Sequence, residues 1–268
     1  MNAKKIKVVV AGALGKMGQE SVRTILEAED LELVGAVVRK NADEIGCDIG
    51  EIIGLEACGI EISDNLKDCL QRTQAQVMLD FTVPGVVCQN ACISLECGAR
   101  PILGATGLNG QDMHELARKS EYLGSAVLIA PNFSIGMILL IEAAKKIAKY
   151  FPHAEVIELH HDKKIDAPSG TSIKTAHELS KIITSAPQEL SNNSTPRGEL
   201  VENIKVHSIR LPGLLAHEEI LFGGLGQLTT LRHDTFNRAA FMPGVLLAIR
   251  QIMNKNGLIY GLENLLDQ

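Results

Sequence analysis

Tryptophan is absent from this 268-residue chain, and three tyrosines with six phenylalanines bring aromatics to only 3%. A protein that stacks nucleic-acid bases on its side chains needs more than that. A basic face is missing too. Asp and Glu number 32 against 26 Lys and Arg, a net charge of −6, which is the wrong sign for a nucleic-acid footprint. No apolar run approaches the roughly 20 residues of a membrane span. The six cysteines (Cys47, Cys58, Cys69, Cys88, Cys92 and Cys97) all fall in the first hundred residues and form no C-x-x-C. Scattered thiols suit a reducing cytoplasm better than a disulfide framework, although Cys88 and Cys92 are spaced to share a helix face. The expectation is a cytoplasmic protein with no nucleic-acid, membrane or metal partner.

What remains is ordinary for a globular protein: 46% apolar and 22% charged residues, with a mean hydropathy of +0.11. The length allows one large domain or two smaller ones. The N-terminal stretch Met1-Asn2-Ala3-Lys4-Lys5-Ile6-Lys7-Val8-Val9-Val10-Ala11-Gly12 superficially resembles a signal peptide. Its apolar run is short, Lys16 soon interrupts it and no A-x-A site appears, so a buried first strand fits better. There is no internal repeat and no low-complexity tract.

Through residue 130 short β-branched runs alternate with helical patterns, the signature of βαβ units on a parallel sheet. Strands are expected at Lys7–Ala11, Leu31–Val38, Val77–Phe81, Pro101–Gly104 and Ala126–Ala130, with a helix at Met17–Ala28. After Pro131 the pattern changes. A long helix is expected at Ile135–Tyr150, a strand at Val156–His161, a helix at Thr171–Ile183 and a surface loop over Thr184–Asn203. Further strands are expected at Ile204–Arg210, His217–Phe222 and Gln227–His233, the last two joined as a hairpin through Gly223-Gly224-Leu225-Gly226. Asn237–Met253 returns to helix, and the last helices are expected to pack on the first domain. The fold class is therefore α/β: a Rossmann-type doubly wound parallel sheet with a second α+β domain on a mixed sheet. The first domain spans 1–130 and is completed by 237–268; the second, for substrate and oligomerisation, spans 131–236.

Gly12-Ala13-Leu14-Gly15-Lys16-Met17-Gly18 stands directly after a strand and opens a helix. That is where a dinucleotide-binding turn belongs: the glycines admit a pyrophosphate to the backbone, and the helix N-terminus stabilises its charge. The form is G-x-x-G-x-x-G rather than G-x-G-x-x-G, and its strand–turn–helix context supplies the specificity that the spacing lacks. At the end of the second strand an NAD-specific site would place Asp or Glu on the ribose 2′-hydroxyl. This chain has Arg39 and Lys40 there, with Lys16 in the loop. Cations attract a 2′-phosphate, so NADPH is expected over NADH.

The stretch Glu158-Leu159-His160-His161-Asp162-Lys163-Lys164-Ile165-Asp166-Ala167-Pro168-Ser169-Gly170-Thr171 carries the chemistry. Two imidazoles, a side-chain class that titrates near neutral pH, precede two ammonium groups. A fresh helix N-terminus comes next and favours a carboxylate or phosphate. Adjacent histidines on a strand point to opposite faces, and no third ligand lies nearby, so they do not form a zinc set. A solvated polar turn would explain Asp162 and Lys163 but not the helix start after them. The segment reads as a pocket for a small anionic substrate with proton donors in place.

With both segments in hand, the chain resembles the 4-hydroxy-tetrahydrodipicolinate reductase family, formerly called dihydrodipicolinate reductases. Besides the glycine turn, the resemblance rests on Asp80-Phe81-Thr82, Gly104-Ala105-Thr106-Gly107 and Ala130-Pro131-Asn132-Phe133-Ser134-Ile135-Gly136. It continues through Glu158–Thr171, His207-Ser208-Ile209-Arg210-Leu211-Pro212-Gly213, Phe222-Gly223-Gly224 and Arg232-His233-Asp234, nearly end to end. The E-x-H-H-x-x-K-x-D-A-P-S-G-T form is its most specific part. The resemblance implies hydride transfer from NADPH or NADH to a cyclic dicarboxylate in lysine biosynthesis through diaminopimelate. By the same register His160 is the catalytic histidine, Lys164 the proton donor and His161 a substrate contact, with the substrate carboxylate on Gly170 and Thr171. Cofactor contacts are implied at Gly12, Ala13, Leu14, Gly15, Lys16 and Met17, at Gly104, Ala105 and Thr106, and at Ala130, Pro131, Asn132 and Phe133. Many members carry an acid where this chain has Arg39, a departure that again points to NADPH. A homotetramer built through the sheet of the second domain is implied as well. Two alternatives stand beside this reading: another NADPH-dependent reductase of an amino-acid-derived carbonyl or imine, and a non-catalytic NADPH-binding protein.

Overall fold

Val8, Val9 and Val10 follow one another without a polar residue and have no solvent exposure at all, as a strand covered on both faces requires. They lie in β1 (Ile6–Ala11), which is followed by α1 (Lys16–Glu27), β2 (Leu31–Val37), α2 (Ile49–Ile52), β3 (Ile62–Ser63) and α3 (Leu66–Thr73). β4 (Val77–Asp80), α4 (Pro84–Glu96), β5 (Arg100–Leu103), α5 (Gly110–Tyr122) and β6 (Ala126–Ile129) continue the alternation. Next come α6 (Ile135–Ala148), β7 (His153–His160), α7 (Gly170–Ser180), β8 (Glu199–Val201), β9 (Ile204–Arg210), β10 (Ala216–Gly224) and β11 (Gln227–Thr235). The described residues close with α8 (Met242–Ile252), β12 (Gly257–Tyr260) and a 3-10 turn at Leu262–Leu265. This computed structural model describes residues 4–104, 107–185 and 197–266. It divides into two compact units, Met1–Phe133 with Phe241–Gln268, and Ser134–Ala240.

The first unit is a seven-stranded sheet in the order β12-β6-β5-β4-β1-β2-β3, every neighbouring pair parallel. From β1 the chain moves to β2 and β3 on one side, then crosses to β4 on the other. The ends of β1 and β4 therefore form the switch point at which doubly wound sheets hold their ligands. The core packs Val9, Met78, Leu103 and Val127 of the strands against Leu70, Val87, Leu95 and Leu116 of the helices. The second unit is a five-stranded mixed sheet in the order β11-β10-β7-β9-β8, in which β7 and β9 run parallel and the other pairs antiparallel. Met137 and Ile141 of α6 and Ala176 and Leu179 of α7 pack with Val156, Val206, Ile220 and Phe222 of the sheet. Among the described residues no helix is long and apolar enough to cross a membrane.

Several boundaries differ from the pattern reading, each for a local reason. The Thr184–Asn203 stretch is not all loop: Glu199–Val201 turns back on β9 as an antiparallel strand, through Glu202 at φ +56. Residues 186–196 of that stretch lie outside the described residues. The segment Asn237–Met253 opens as a 3-10 turn at Arg238–Phe241, and the α-helix proper starts at Met242 with Pro243 in its first turn, a position where proline's missing N–H costs nothing. The chain end is not wholly helical as its pattern suggests: Gly257–Tyr260 adds an edge strand parallel to β6. β7 starts at His153, three residues early, and stops at His160, so His161 lies beyond the strand in the turn closed by Lys164 N–H donating to the His161 carbonyl.

Candidate active site

Three glycines shape the turn after β1. Gly12 has φ +77, and a Cβ there would stand 2.8 Å from the Phe81 carbonyl carbon and oxygen. A Cβ on Gly18 would stand 2.1 Å from the Gly12 carbonyl oxygen, so α1 can approach the turn only without a side chain at that position. Gly15 is the N-cap of α1, contributes no side-chain cap, and no acid occupies the first helical turn. The N–H groups that start the helix, at Lys16 and Met17, thus face no competing carboxylate from their own helix. Gly12 and Ala13 both donate to the Val37 carbonyl at the end of β2. That contact sets the turn beside the exit of β2, just before Arg39 and Lys40, both exposed.

The end of β4 forms the other side of the switch point. Buried Asp80 accepts from Thr82 N–H (2.7 Å), Thr82 Oγ1 (2.6 Å) and Asn90 Nδ2 (2.9 Å). Burial raises its carboxyl above the ordinary range, and those three bonds work against the rise. Its role is to shape the Phe81–Thr82 turn. Phe81 meets Phe133 edge to face, with ring centroids 5.7 Å apart. A Cβ on Gly104 would strike the Phe81 ring at 2.3 Å. Gly104 follows β5, and Ala130 donates to the Leu103 carbonyl at the same sheet edge. Pro131 is exposed, Asn132 half-buried and Phe133 buried. Ala105 and Thr106 lie outside the described residues. A cradle that side chains would fill and an uncapped helix start fit a nicotinamide dinucleotide.

In the second unit the site is built at the end of β7. Glu158 and His160 lie two residues apart on one strand and so share a face. Glu158 has no exposed side-chain surface, and His160 Nδ1 is bonded to its Oε2. Arg210 of β9 clamps the same carboxylate with Nη1 to Oε2 (2.9 Å) and Nη2 to Oε1 (2.7 Å). Burial alone would raise Glu158, but hydrogen bonds from His160, Arg210 and Ser208 overcome it and hold the carboxyl down at about 2. An ionised carboxylate only accepts, so Nδ1 of His160 is the protonated nitrogen and Nε2 is left for other chemistry. Arg210 Nη2 also donates to the Asp166 carbonyl at 2.7 Å, tying the loop that carries Lys164 to the same clamp.

Lys164 Nζ binds both oxygens of Asp166, at 2.8 and 2.7 Å. That bond and charge lower Asp166. Lys164 is 22% exposed, whereas Lys163 next to it is exposed outright. The loop leads into α7, whose N-cap Ser169 accepts from Ser172 N–H. Gly170 and Thr171 are its first residues, no acid stands in the first turn, and nothing lies within 4 Å of where a Gly170 Cβ would be. This start is held from below by buried Glu218 of β10, which accepts from Ser172 Oγ (2.7 Å) and Thr175 Oγ1 (2.6 Å). Burial pushes Glu218 up, and its neighbour Glu158, opposite it in the strand register, pushes the same way.

The second unit thus collects His160, Lys164, Gly170 and Thr171 around one loop, with His161 half-buried in the turn between. Glu218 carried no signal in the sequence, since its partners are tens of residues away; Arg210 stood within the 207–213 segment of the resemblance, but nothing there tied it to Glu158. Glu158 did, by its two-residue spacing from His160 on a strand.

Comparison with known proteins agrees along the whole chain. The family described as "Dihydrodipicolinate reductase, N-terminus" matches residues 6–133, and "Dihydrodipicolinate reductase, C-terminus" matches residues 136–266. A 4-hydroxy-tetrahydrodipicolinate reductase of Desulfitobacterium hafniense is 47% identical over 269 residues, covering 98% of this chain and 100% of the relative. One from Synechococcus elongatus is 46% identical over 273 residues, with the same coverage. Among solved structures, a dipicolinate-bound dihydrodipicolinate reductase from Paenisporosarcina sp. TG-14 aligns with a TM-score of 0.87 at 38% identity, covering 98% of this chain and 100% of that one. An amine dehydrogenase from Mycobacterium smegmatis, at 12% identity and TM-score 0.71 over 98% of this chain and 96% of its own, shares the fold alone.

Proposed function

The chain belongs to the dihydrodipicolinate reductase family, and from that premise we propose how its residues divide the work. Its reaction is the NAD(P)H-dependent reduction of 4-hydroxy-tetrahydrodipicolinate on the route through diaminopimelate to lysine. Loss of the 4-hydroxyl as water leaves dihydrodipicolinate, a ring dicarboxylate with a conjugated imine, to which reduction adds one hydride and one proton. When bound, a nicotinamide dinucleotide supplies the hydride. The first unit holds it through Gly12, Ala13, Leu14, Gly15, Lys16 and Met17, with Gly104 to Thr106 and Ala130 to Phe133 as the further contacts. Arg39 and Lys40 favour the 2′-phosphate of NADPH.

The second unit handles anions and the proton. One carboxylate is taken by the N–H groups of Gly170 and Thr171 at the start of α7. His161 contacts the substrate. Lys164 exchanges Asp166 for a substrate carboxylate and donates the proton, and His160 assists through Nε2 while Glu158 fixes its ring. The observation that carries this division is the Glu158 carboxylate, buried, held ionised by Arg210 and bonded to His160. A buried charge of this kind orients one proton-handling ring rather than decorating a solvated turn.

Parallel Lys164→Ala and Lys163→Ala variants test the assignment. Lys164→Ala loses about 10²–10⁴-fold in kcat, the usual contribution of a general acid, and still binds NADPH, while Lys163→Ala keeps most of its turnover. Near-normal turnover in Lys164→Ala contradicts it. The six free thiols favour the cytoplasm as the compartment. Exposed Leu225, Leu228 and Phe236 on and beside the β10–β11 hairpin favour a homotetramer through that sheet, which light scattering on the purified chain measures directly.

A further inference from the structure

Cys88 and Cys92 stand one turn apart on α4, and α5 packs alongside and brings Glu115 to them. The two sulfurs and a Glu115 oxygen all lie within 4.8 Å of one another, and Cys92 Sγ is 3.6 Å from Glu115 Oε1. A tetrahedral ion with bonds of about 2.3 Å to sulfur and about 2.1 Å to oxygen spaces its donors roughly 3.6–3.8 Å apart. One edge of that tetrahedron is already present, and the others close with shifts of at most about 1 Å. Cys88 and Cys92 are half-buried and Glu115 exposed, so an ion can reach the set from solvent. Among the described residues no other group of three His, Cys, Asp or Glu side chains gathers this closely.

We propose that the α4–α5 face of the first unit binds one thiophilic divalent cation, of the zinc and cadmium class, through Cys88, Cys92 and Glu115. The fourth position belongs to water, because Asp112, which lies beside Cys88, already caps α5 by accepting from Asn109 N–H at 2.9 Å. Asp112 and Glu115 make the local field negative. Lys119 opposes it near Cys92 but is itself engaged by Glu96. Each sulfur releases its proton to solvent as its bond to the ion forms. Carboxylate with thiolate selects a borderline-soft ion over magnesium or calcium. The ion would join α4 to α5 and stabilise the first unit to the extent that the folded chain, which brings Glu115 to the two thiols, binds it more tightly than the unfolded chain.

The test is titration of the reduced full-length chain with Cd²⁺ and with Co²⁺, read by thiolate-to-metal charge-transfer absorbance. One equivalent of each ion should give the band, Zn²⁺ should displace it, and Zn²⁺ should raise the Tm. Cys88→Ser and Cys92→Ser should each abolish the band, Glu115→Gln should weaken binding, and Cys97→Ser should leave it intact. Absence of a band in the unmodified chain overturns the proposal without recourse to any variant. So does a band that survives in the Cys88→Ser/Cys92→Ser double variant or disappears in Cys97→Ser. Unchanged affinity in Glu115→Gln overturns the ligand set.

Discussion

Replacing Glu158 with Gln leaves Arg210 without the carboxylate its two terminal nitrogens share, and leaves His160 Nδ1 bonded to an amide. The acid's ordinary value is 4.5 and its folded value about 2. A depressed folded value means the stabilisation is fully present above 4.5 and is lost as pH falls through 2. That difference corresponds to roughly 3 kcal/mol, comparable with the loss on breaking a buried ion pair. The expected outcome for Glu158→Gln is a Tm lower than wild type at neutral pH that falls less steeply over that acid window than the wild-type Tm, because Asp166 and other lowered acids still titrate there. Its kcat drops by about tenfold or more, within the usual contribution of acid–base groups. Thermal melts across the acid range and steady-state kinetics check the two halves. At this scale the sequence exposed His160, Lys164 and the glycines, because each belongs to a compact local pattern. Glu218 was hidden, and Arg210, although part of the 207–213 segment of the resemblance, showed no link to Glu158, since their partners are 46 and 52 positions away along the chain, and only strand register brings them together.

At the scale of elements, the start of α7 is the piece most dependent on a buried acid. Glu218 is raised by burial while bonding Ser172 and Thr175. For an acid with a raised folded value, stability is highest below the unfolded value and falls as pH climbs through the folded one. Glu218→Gln removes that penalty, so the variant's Tm should decline less from mildly acidic to mildly alkaline pH than that of wild type, as scanning calorimetry at several pH values would measure. The glycine turn makes the complementary prediction. Gly18→Ala places a methyl 2.1 Å from the Gly12 carbonyl, so α1 must move off the turn. NADPH affinity measured by fluorescence titration should fall by about tenfold or more, the scale of one lost charge-assisted bond. Helices and strands with clean periodicity were legible in the sequence to within a few residues. β3, β8 and β12 were not, being short edge strands of two, three and four residues whose pairing partners, rather than their own composition, decide their state, and α2 to α5 showed only as helical patterns between strands, without bounds.

At the scale of the molecule, the proposed division gives the dinucleotide to one unit and the substrate anion and proton to the other, and the family to which the chain belongs performs an NAD(P)H-dependent reduction. The proposed NADPH preference rests on Arg39 and Lys40 of the first unit. Arg39→Asp should reduce kcat/KM for NADPH by about 10- to 100-fold, the worth of a charge-assisted pair, while that for NADH is unchanged or rises. An equal loss with both cofactors would place Arg39 outside 2′-phosphate recognition. The most direct test of the whole account is NADPH oxidation followed by absorbance, with substrate generated in the cuvette from aspartate semialdehyde and pyruvate by the condensing enzyme, and repeated with NADH. The account predicts oxidation that requires both precursors and is faster per micromolar cofactor with NADPH. Tight NADPH binding with no oxidation of either cofactor would contradict it.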